Sequence, residues 1–317
     1  MASTSLRQIR YFVAVFEEGG FSRAAARENC AQPALSVQIR NLEENLGQTL
    51  FERSAGGVTP TAAGRRFYGH AVSILRAVRG AELDIAEMRG QVSGAVRAGL
   101  IPSAVRGLLP AMLPTFLDAH PRIELRIMQA YSGTLIEWLH AGKLDFALVI
   151  EPAVQDGLEI VRFSEERMVL ISGRALGLKP WRPVRLAALP PLRLVVPTMR
   201  HGLRRNIERS IKTSNVTLER IFEMDAMEGT FEFIKRTDWA TILPLTAVLN
   251  DLDSEQLCLN PIAEPAIKSD FYLVHLTQRP FSAATQSFVD ALKAAARANT
   301  DAWDSTVLRH ADPARPG

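Results

Sequence analysis

Cysteine is scarce in this 317-residue sequence: Cys30 and Cys258 are the only two, far apart and without the spacing of a metal site or redox pair. A reducing compartment is the simplest setting. No run of eighteen apolar residues occurs, so no membrane span is expected. The apolar patch near the N-terminus is followed by Glu17 and Glu18 and has no small-residue cleavage site, so no export signal is read there either. These absences point to the cytoplasm. Catalytic signatures are also missing: there is no G-x-S-x-G, no phosphate-cradling glycine loop and no H-E-x-x-H. The histidines at 70, 120, 140, 201, 275 and 310 lack metal-ligand spacing. Neither a metal nor a cofactor is expected, and catalysis finds no support.

What is present is a local excess of positive charge. Residues 1–79 hold ten arginines against six acidic residues, whereas the remainder carries one net negative charge and the whole chain +3. A basic segment on a near-neutral body points to a polyanion as its partner. With 47% apolar and 22% charged residues over 317 positions, the chain fits two or three globular units. No internal repeat of fixed period is found.

Leu6, Ile9, Phe12, Val13 and Phe16 recur at intervals of three and four, so residues 6–18 read as an amphipathic helix ended by Gly19-Gly20. Ser22 reads as the N-cap of a short helix over residues 23–28, whose Ala24, Ala25 and Ala26 let a neighbour approach closely. A third helix opens near Gln32 with Pro33 in its first turn, where the missing N–H costs nothing. On it Leu35, Ile39, Leu42 and Leu46 share one face, and Gln32, Pro33, Ser36, Val37 and Arg40 the other. The free face has the size to enter a DNA major groove, where Gln32 suits adenine and Ser36 a base or phosphate. Solvation is the alternative for Ser36 and Gln38, and an ion pair with Glu44 for Arg40. Residues 50–59 read as a hairpin with a glycine-rich tip, a wing on which Arg53 suits a phosphate or the minor groove, while Thr59 and Thr61 suit phosphate.

Thr61 caps a long helix running to about residue 89. Its Phe67, Ala71, Ile74, Val78, Ala81, Ile85 and Met88 step by four and three, the spacing of a dimer seam; packing on its own domain is the alternative. Gly90 and Gly94 mark a linker. Beyond them strands near 96–101, 123–128 and 145–150 alternate with helices near 105–119 and 135–141. A second series has strands near 168–172, 192–196, 218–224, 241–243 and 271–276, with helices near 201–212, 227–236 and 283–298. Two α/β lobes are expected. Residues 299–317 lack periodicity and are expected to be unstructured.

The runs FSRAAARENCAQPALSVQIRNLEENLGQTLFER and VTPTAAGRRFY resemble the LysR-type transcriptional regulators. The match is close over about residues 5–70, and the rest is similar to that family in length and element order. The resemblance implies an α+β multidomain fold, with a winged helix-turn-helix at 1–62 and a dimerising linker helix at 63–90. A two-lobed, periplasmic-binding-protein-like effector domain follows at 91–298, lobe I being 94–150 with 277–298 and lobe II 151–268. It also implies DNA contacts from Gln32, Pro33 and Arg53, a homodimer through the linker helix and a homotetramer. The crossing strands would be LDFALVIEP (144–152) and SDFYLVHL (269–276). Two departures stand out. Val37 occupies a place where many members carry Arg, so a guanine contact is lost there, and Thr237-Asp238-Trp239 replaces a glycine-rich turn.

In such clefts ligand anions meet hydroxyls and helix N-termini. Ser103, then Ser132 with Gly133 and Thr134, then Thr198, His201, Arg204 and Arg205 qualify, and the expected effector is a small organic anion. Helix capping is the alternative for each hydroxyl, and solvated surface for the two arginines. Glu151 either meets the ligand or forms a hinge-side salt bridge. The rival readings are a ligand-independent regulator of the same family controlled by abundance or a partner protein, a thiol sensor, and a cytoplasmic small-molecule-binding protein or enzyme. The thiol sensor needs a cysteine pair in the second lobe, where only Cys258 stands. The last reading leaves residues 1–62 without a use.

Overall fold

The computed structural model describes residues 4–54, 57–87, 92–199, 201–213, 215–264 and 267–311. The chain divides into two compact units, residues 1–91 and the bulk of 92–317.

In the first unit α1 (Leu6–Glu18) opens with a capping box. Ser5 Oγ accepts from Gln8 N at 3.3 Å and Gln8 Oε1 accepts from Ser5 N at 2.9 Å. Its C-cap Gly19 sits at φ 61°, a left-handed conformation that glycine adopts without strain. Helix α2 (Phe21–Arg27) starts from Gly20, not from Ser22 as expected. Phe21 is buried, and placing it in the core draws the helix start ahead of the serine. Helix α3 (Gln32–Leu46) carries Pro33 in its first turn, and β1 (Phe51–Ser54) pairs antiparallel with β2 (Gly57–Pro60) as the wing. Glu43 joins the two, its Oε1 accepting from Leu50 N at 2.7 Å and Phe51 N at 3.1 Å.

Helix α4 (Ala62–Glu87) is capped by Thr61, whose Oγ1 accepts from Gly64 N at 3.0 Å, and its 26 residues span about 39 Å. Its first turns belong to the unit's core: Phe12 packs against Phe67 and Phe51 at centroid distances of 4.9 and 5.1 Å, and Phe16 stacks on Tyr68 at 4.0 Å. Gly64 permits this approach, since a Cβ there would lie 2.2 Å from the Leu50 carbonyl oxygen. The expected seam is therefore divided. Phe67 and the fully buried Ala71 face their own unit, while Ile74 and Ala81 are exposed. The side chain of Ile85, and Met88 entirely, lie outside the described residues.

The second unit is built on two half-sheets. In the first, β3 (Gly94–Leu100) lies between the parallel strands β4 (Ile123–Gln129) and β5 (Phe146–Ile150). Helices α5 (Pro102–Ala119) and α6 (Ser132–His140) make the connections. Strand β6 (Leu158–Gly173) and a return strand, β12 (Lys268–Leu276), complete it, β12 pairing antiparallel with both β5 and β6. Between them come β7 (Val184–Arg185), β8 (Leu192–Val196), α7 (Gly202–Thr213), β9 (Leu218–Glu223), α8 (Met227–Lys235), β10 (Ala240–Pro244) and β11 (Leu257–Glu264). The second half-sheet sets β8 parallel to β9 and β10, with β10 and β11 antiparallel to the far end of β6.

One crossing strand differs from expectation. Residues 144–152 stay in the first half-sheet, where all five residues of β5 are buried, and the 16-residue β6 makes the crossing. Its polar first half lacks the apolar signature by which a crossing was sought. The β6–β12 register shifts between Phe271, opposite Ser164, and Tyr272, opposite Arg162, leaving Phe163 as a bulge. Strand β11 was not expected from the sequence at all.

The tail is the other correction. Helix α9 (Ala283–Ala311) continues through residues expected to be unstructured, because Trp303 is 2% exposed and lies 5.4 Å from the Trp181 ring, and Arg167 pairs with Asp304 at 2.6 Å. Residues 312–317 lie outside the description.

Candidate nucleic-acid interface and effector cleft

Helix α3 buries Leu35, Ile39 and Leu42 and leaves Gln32, Pro33, Val37 and Arg40 exposed on its other side. Leu46 is 38% exposed, outside the buried face it was assigned to. Ser36 departs from expectation as well. It is only 9% exposed, so it stands behind the outward face rather than on it. Among the described residues Arg40 forms no ion pair with Glu44. Thr59 is exposed on β2, and Arg53 lies on β1 opposite Val58 with its side chain outside the described residues. Arg27 is neutralised by Glu17 at 2.6 Å and Arg10 by Glu28 at 2.9 Å, so part of the local positive charge is spent within the unit.

In the second unit the ends of β5 and β8 and the starts of α5 and α8 line a cleft enclosing about 470 Å³ of non-atom space, open solvent included. The walls are mainly apolar, among them Ile150, Val195, Val196, Met224, Met227 and Leu243. Ser103 and His201, both expected, are in the lining and are 3% and 7% exposed. Tyr131 and Asp225, not expected, are there too. Tyr131 follows β4 and Asp225 follows β9, and the tyrosine O–H donates to the Asp225 backbone oxygen, so this contact joins the two lobes across the cleft. Burial and the nearby Asp225 carboxylate push the Tyr131 hydroxyl up to about 12. Its ring meets the His201 ring edge-on at 4.8 Å.

The other expected ligand groups are engaged elsewhere. Ser132 Oγ donates to the Ile150 carbonyl and accepts from Ile150 N, both at 3.2 Å. Thr198 donates through its N and Oγ1 to the Asp225 carboxylate at 2.9 and 2.8 Å. Arg204 is buried against Glu208, Glu223 and the Pro197 carbonyl at 2.9–3.0 Å. Thr134 is half-buried on α6 and outside the lining. Glu151, at φ 42°, accepts from Asn206 Nδ2 at 2.5 Å instead of forming a salt bridge. The described lining thus contains no Lys or Arg, against the expectation of an anion site. Tyr131 and Asp225 escaped notice because a loop residue after a strand carries no periodicity; the one available signal was their shared position just past strand ends.

A winged helix-turn-helix on one unit and a two-lobed α/β fold around a cleft on the other define a DNA-binding regulator with a sensor domain. Residues 6–65 match the family described as bacterial regulatory helix-turn-helix protein, lysR family, and residues 89–297 the LysR substrate binding domain. The chain belongs to the LysR family of transcriptional regulators. It is 26% identical over 284 residues to the RuBisCO operon transcriptional regulator of Allochromatium vinosum, covering 90% of this chain and 94% of that one. It is also 28% identical over 293 residues to a hydrogen peroxide-inducible genes activator of Dickeya chrysanthemi, covering 91% and 95%. In fold it is similar to full-length OxyR of Pseudomonas aeruginosa, with TM-score 0.70 and 20% identity over 92% of this chain and 96% of that one. Full-length CbnR complexed with its target DNA gives TM-score 0.59 and 22% identity, covering 92% and 99%. No described helix is long and apolar enough to cross a membrane.

Proposed function

We propose that this regulator acts in the cytoplasm and reads an operator with the exposed face of α3, through Gln32, Pro33, Val37 and Arg40, while Arg53 and Thr59 of the wing hold the DNA backbone. The exposure of those four side chains on a helix anchored by Leu35, Ile39 and Leu42 carries this reading. Residues 1–62 are its DNA-binding domain, 63–90 its linker and 91 onward its sensor. Two copies pair along α4 from Ile74 onward, where the helix turns apolar side chains to the surface, and a pair of pairs forms the working tetramer. Occupancy of the cleft shifts DNA affinity by favouring one arrangement of the lobes; regulation, not catalysis, is its role.

A ligand is favoured over thiol oxidation as the signal. Cys258 is buried, its Sγ donates to the Leu178 carbonyl at 3.4 Å, and burial pushes its thiol pKa up, which lowers its reactivity. The test is operator selection from random DNA with the full chain, followed by fluorescence anisotropy. Gln32→Ala and Arg40→Ala should each weaken the selected site by about 1–3 kcal/mol, and Arg53→Ala should also lower non-specific binding and its salt slope. Unchanged affinity in all three would move the interface elsewhere.

A further inference from the structure

The polar groups of the cleft differ in kind between its interior and its mouth. His201 is the deepest titratable side chain. Its Nδ1 accepts from Leu203 N at 3.2 Å, so in the neutral ring the proton sits on Nε2. Burial holds the ring neutral, its pKa pushed down to about 4. Among the described residues Nε2–H has no acceptor. Nor does the hydroxyl of Ser103, although that residue is 3% exposed and lines the same space. Among the described lining residues the interior therefore offers two donors and no Lys or Arg side chain. The mouth carries Asp225, an exposed carboxylate held in place by Thr198.

Each ligand class meets this arrangement differently. A carboxylate or phosphate would pass Asp225 and lose its water among Ile150, Val195, Val196 and Leu243 with no Lys or Arg of the described lining to meet it, a desolvation that apolar walls do not offset. A protonated amine would find its counter-ion only at the solvated mouth and would face two donors inside. An uncharged acceptor satisfies both donors and leaves its apolar body against the walls.

We propose that the effector of this cleft is a small uncharged molecule carrying an oxygen acceptor, of the ester, lactone, amide or ketone type, received by His201 Nε2–H and the Ser103 hydroxyl. This rests on the cleft being the effector site and adds the chemistry it selects.

The experiment uses the full chain at neutral pH with matched uncharged and carboxylate pairs as probes: benzamide against benzoate, γ-butyrolactone against butyrate, and cyclohexanecarboxamide against cyclohexanecarboxylate. At least one uncharged member should raise the melting temperature and bind about tenfold more tightly than its carboxylate. His201→Phe should erase that preference, and His201→Gln, whose amide can still donate, should keep most of it. A carboxylate that outbinds its partner, or the failure of all three uncharged probes, overturns the proposal. Nitrogen-15 spectra of the labelled imidazoles supply a second readout that needs no ligand and no variant. His201 should appear as the neutral Nε2–H tautomer, and an Nδ1–H or doubly protonated ring overturns the proposal. A carboxylate that binds and shifts operator affinity would overturn the chemistry and leave cleft regulation standing. An uncharged probe that binds without shifting it would do the opposite.

Discussion

Val37 presents an apolar side chain, 47% exposed, in the middle of a face otherwise made of polar groups and proline. It can neither donate nor accept, so the base-edge feature it suits is the thymine methyl group. Replacing the contacted thymine of a selected operator by uracil should weaken binding by about 1 kcal/mol for the parent chain and leave a Val37→Ser variant indifferent. Equal loss in both would remove Val37 from the readout. Ser36→Ala, by contrast, should act on stability more than on base preference, because the side chain is only 9% exposed.

Two buried titratable residues give stability opposite pH slopes. The folded pKa of His201 is pushed down to about 4, so between that value and about 6.5 the unfolded chain binds the extra proton. Stability is then full above about 6.5 and declines by up to about 3 kcal/mol as pH falls to 4. Glu166 behaves the other way. It is buried on the crossing strand with its carboxylate accepting from Thr246 N, Thr246 Oγ1 and Ser164 Oγ, and burial pushes its pKa up. Its contribution is present at low pH and is lost as pH rises through the folded value. Glu166→Gln should melt at a higher temperature than the parent at alkaline pH and at the same temperature near pH 4. Identical melting curves at both ends would show that the buried carboxylate carries no penalty.

At the scale of elements, the C-terminal half of α9 is the clearest difference between sequence and structure. Its small and polar residues give no strong amphipathic stripe, and what fixes the helix is a few tertiary contacts, chiefly Trp303 on Trp181, which lies far away in sequence, with Asp304 on Arg167 and Val307 against the core. Periodicity registers contacts repeated at helical spacing and misses those made by scattered residues with partners far away in sequence. Trp303→Ala should destabilise the second unit by about 3 kcal/mol in denaturant melts, whereas a truly unstructured tail would tolerate it without effect. The same reasoning explains the divided α4. Its heptad spacing was legible, but spacing does not say which partner is met, and Phe67 and Ala71 meet their own unit. Gly64→Ala should cost about 1–3 kcal/mol, since a methyl group there strikes the Leu50 carbonyl. An unchanged melting temperature would mean the helix can move away freely.

For the whole molecule, the helix-turn-helix, the wing and the alternating α/β series were readable because each carries its own local pattern. The crossing was not. Strand β6 has a polar half and an apolar half because each half serves a different sheet, which disguises it as two unrelated segments. The cleft was legible only in part. Ser103 and His201 were found from their places after strands, but the arginine expected to favour an anion proved to be consumed by Glu208 and Glu223. Which charges cancel which is decided by tertiary neighbours that no spacing rule contains.

The bulge at Phe163 has a consequence for how such a sensor is tuned. A residue without a counterpart on the facing strand can turn without parting any rung of the ladder, so a swing of the lobes about this point would expose cleft surface while leaving the sheet intact. A balance between more open and more closed lobe arrangements would then depend on the surface each one wets. Excluded osmolytes such as sucrose favour whichever form shows less surface, so they should lower the ligand concentration needed for half-maximal response. A response indifferent to sucrose would mean that little surface is hidden on closing. A regulator of this build would have its threshold set by the water activity around it as well as by the ligand it binds.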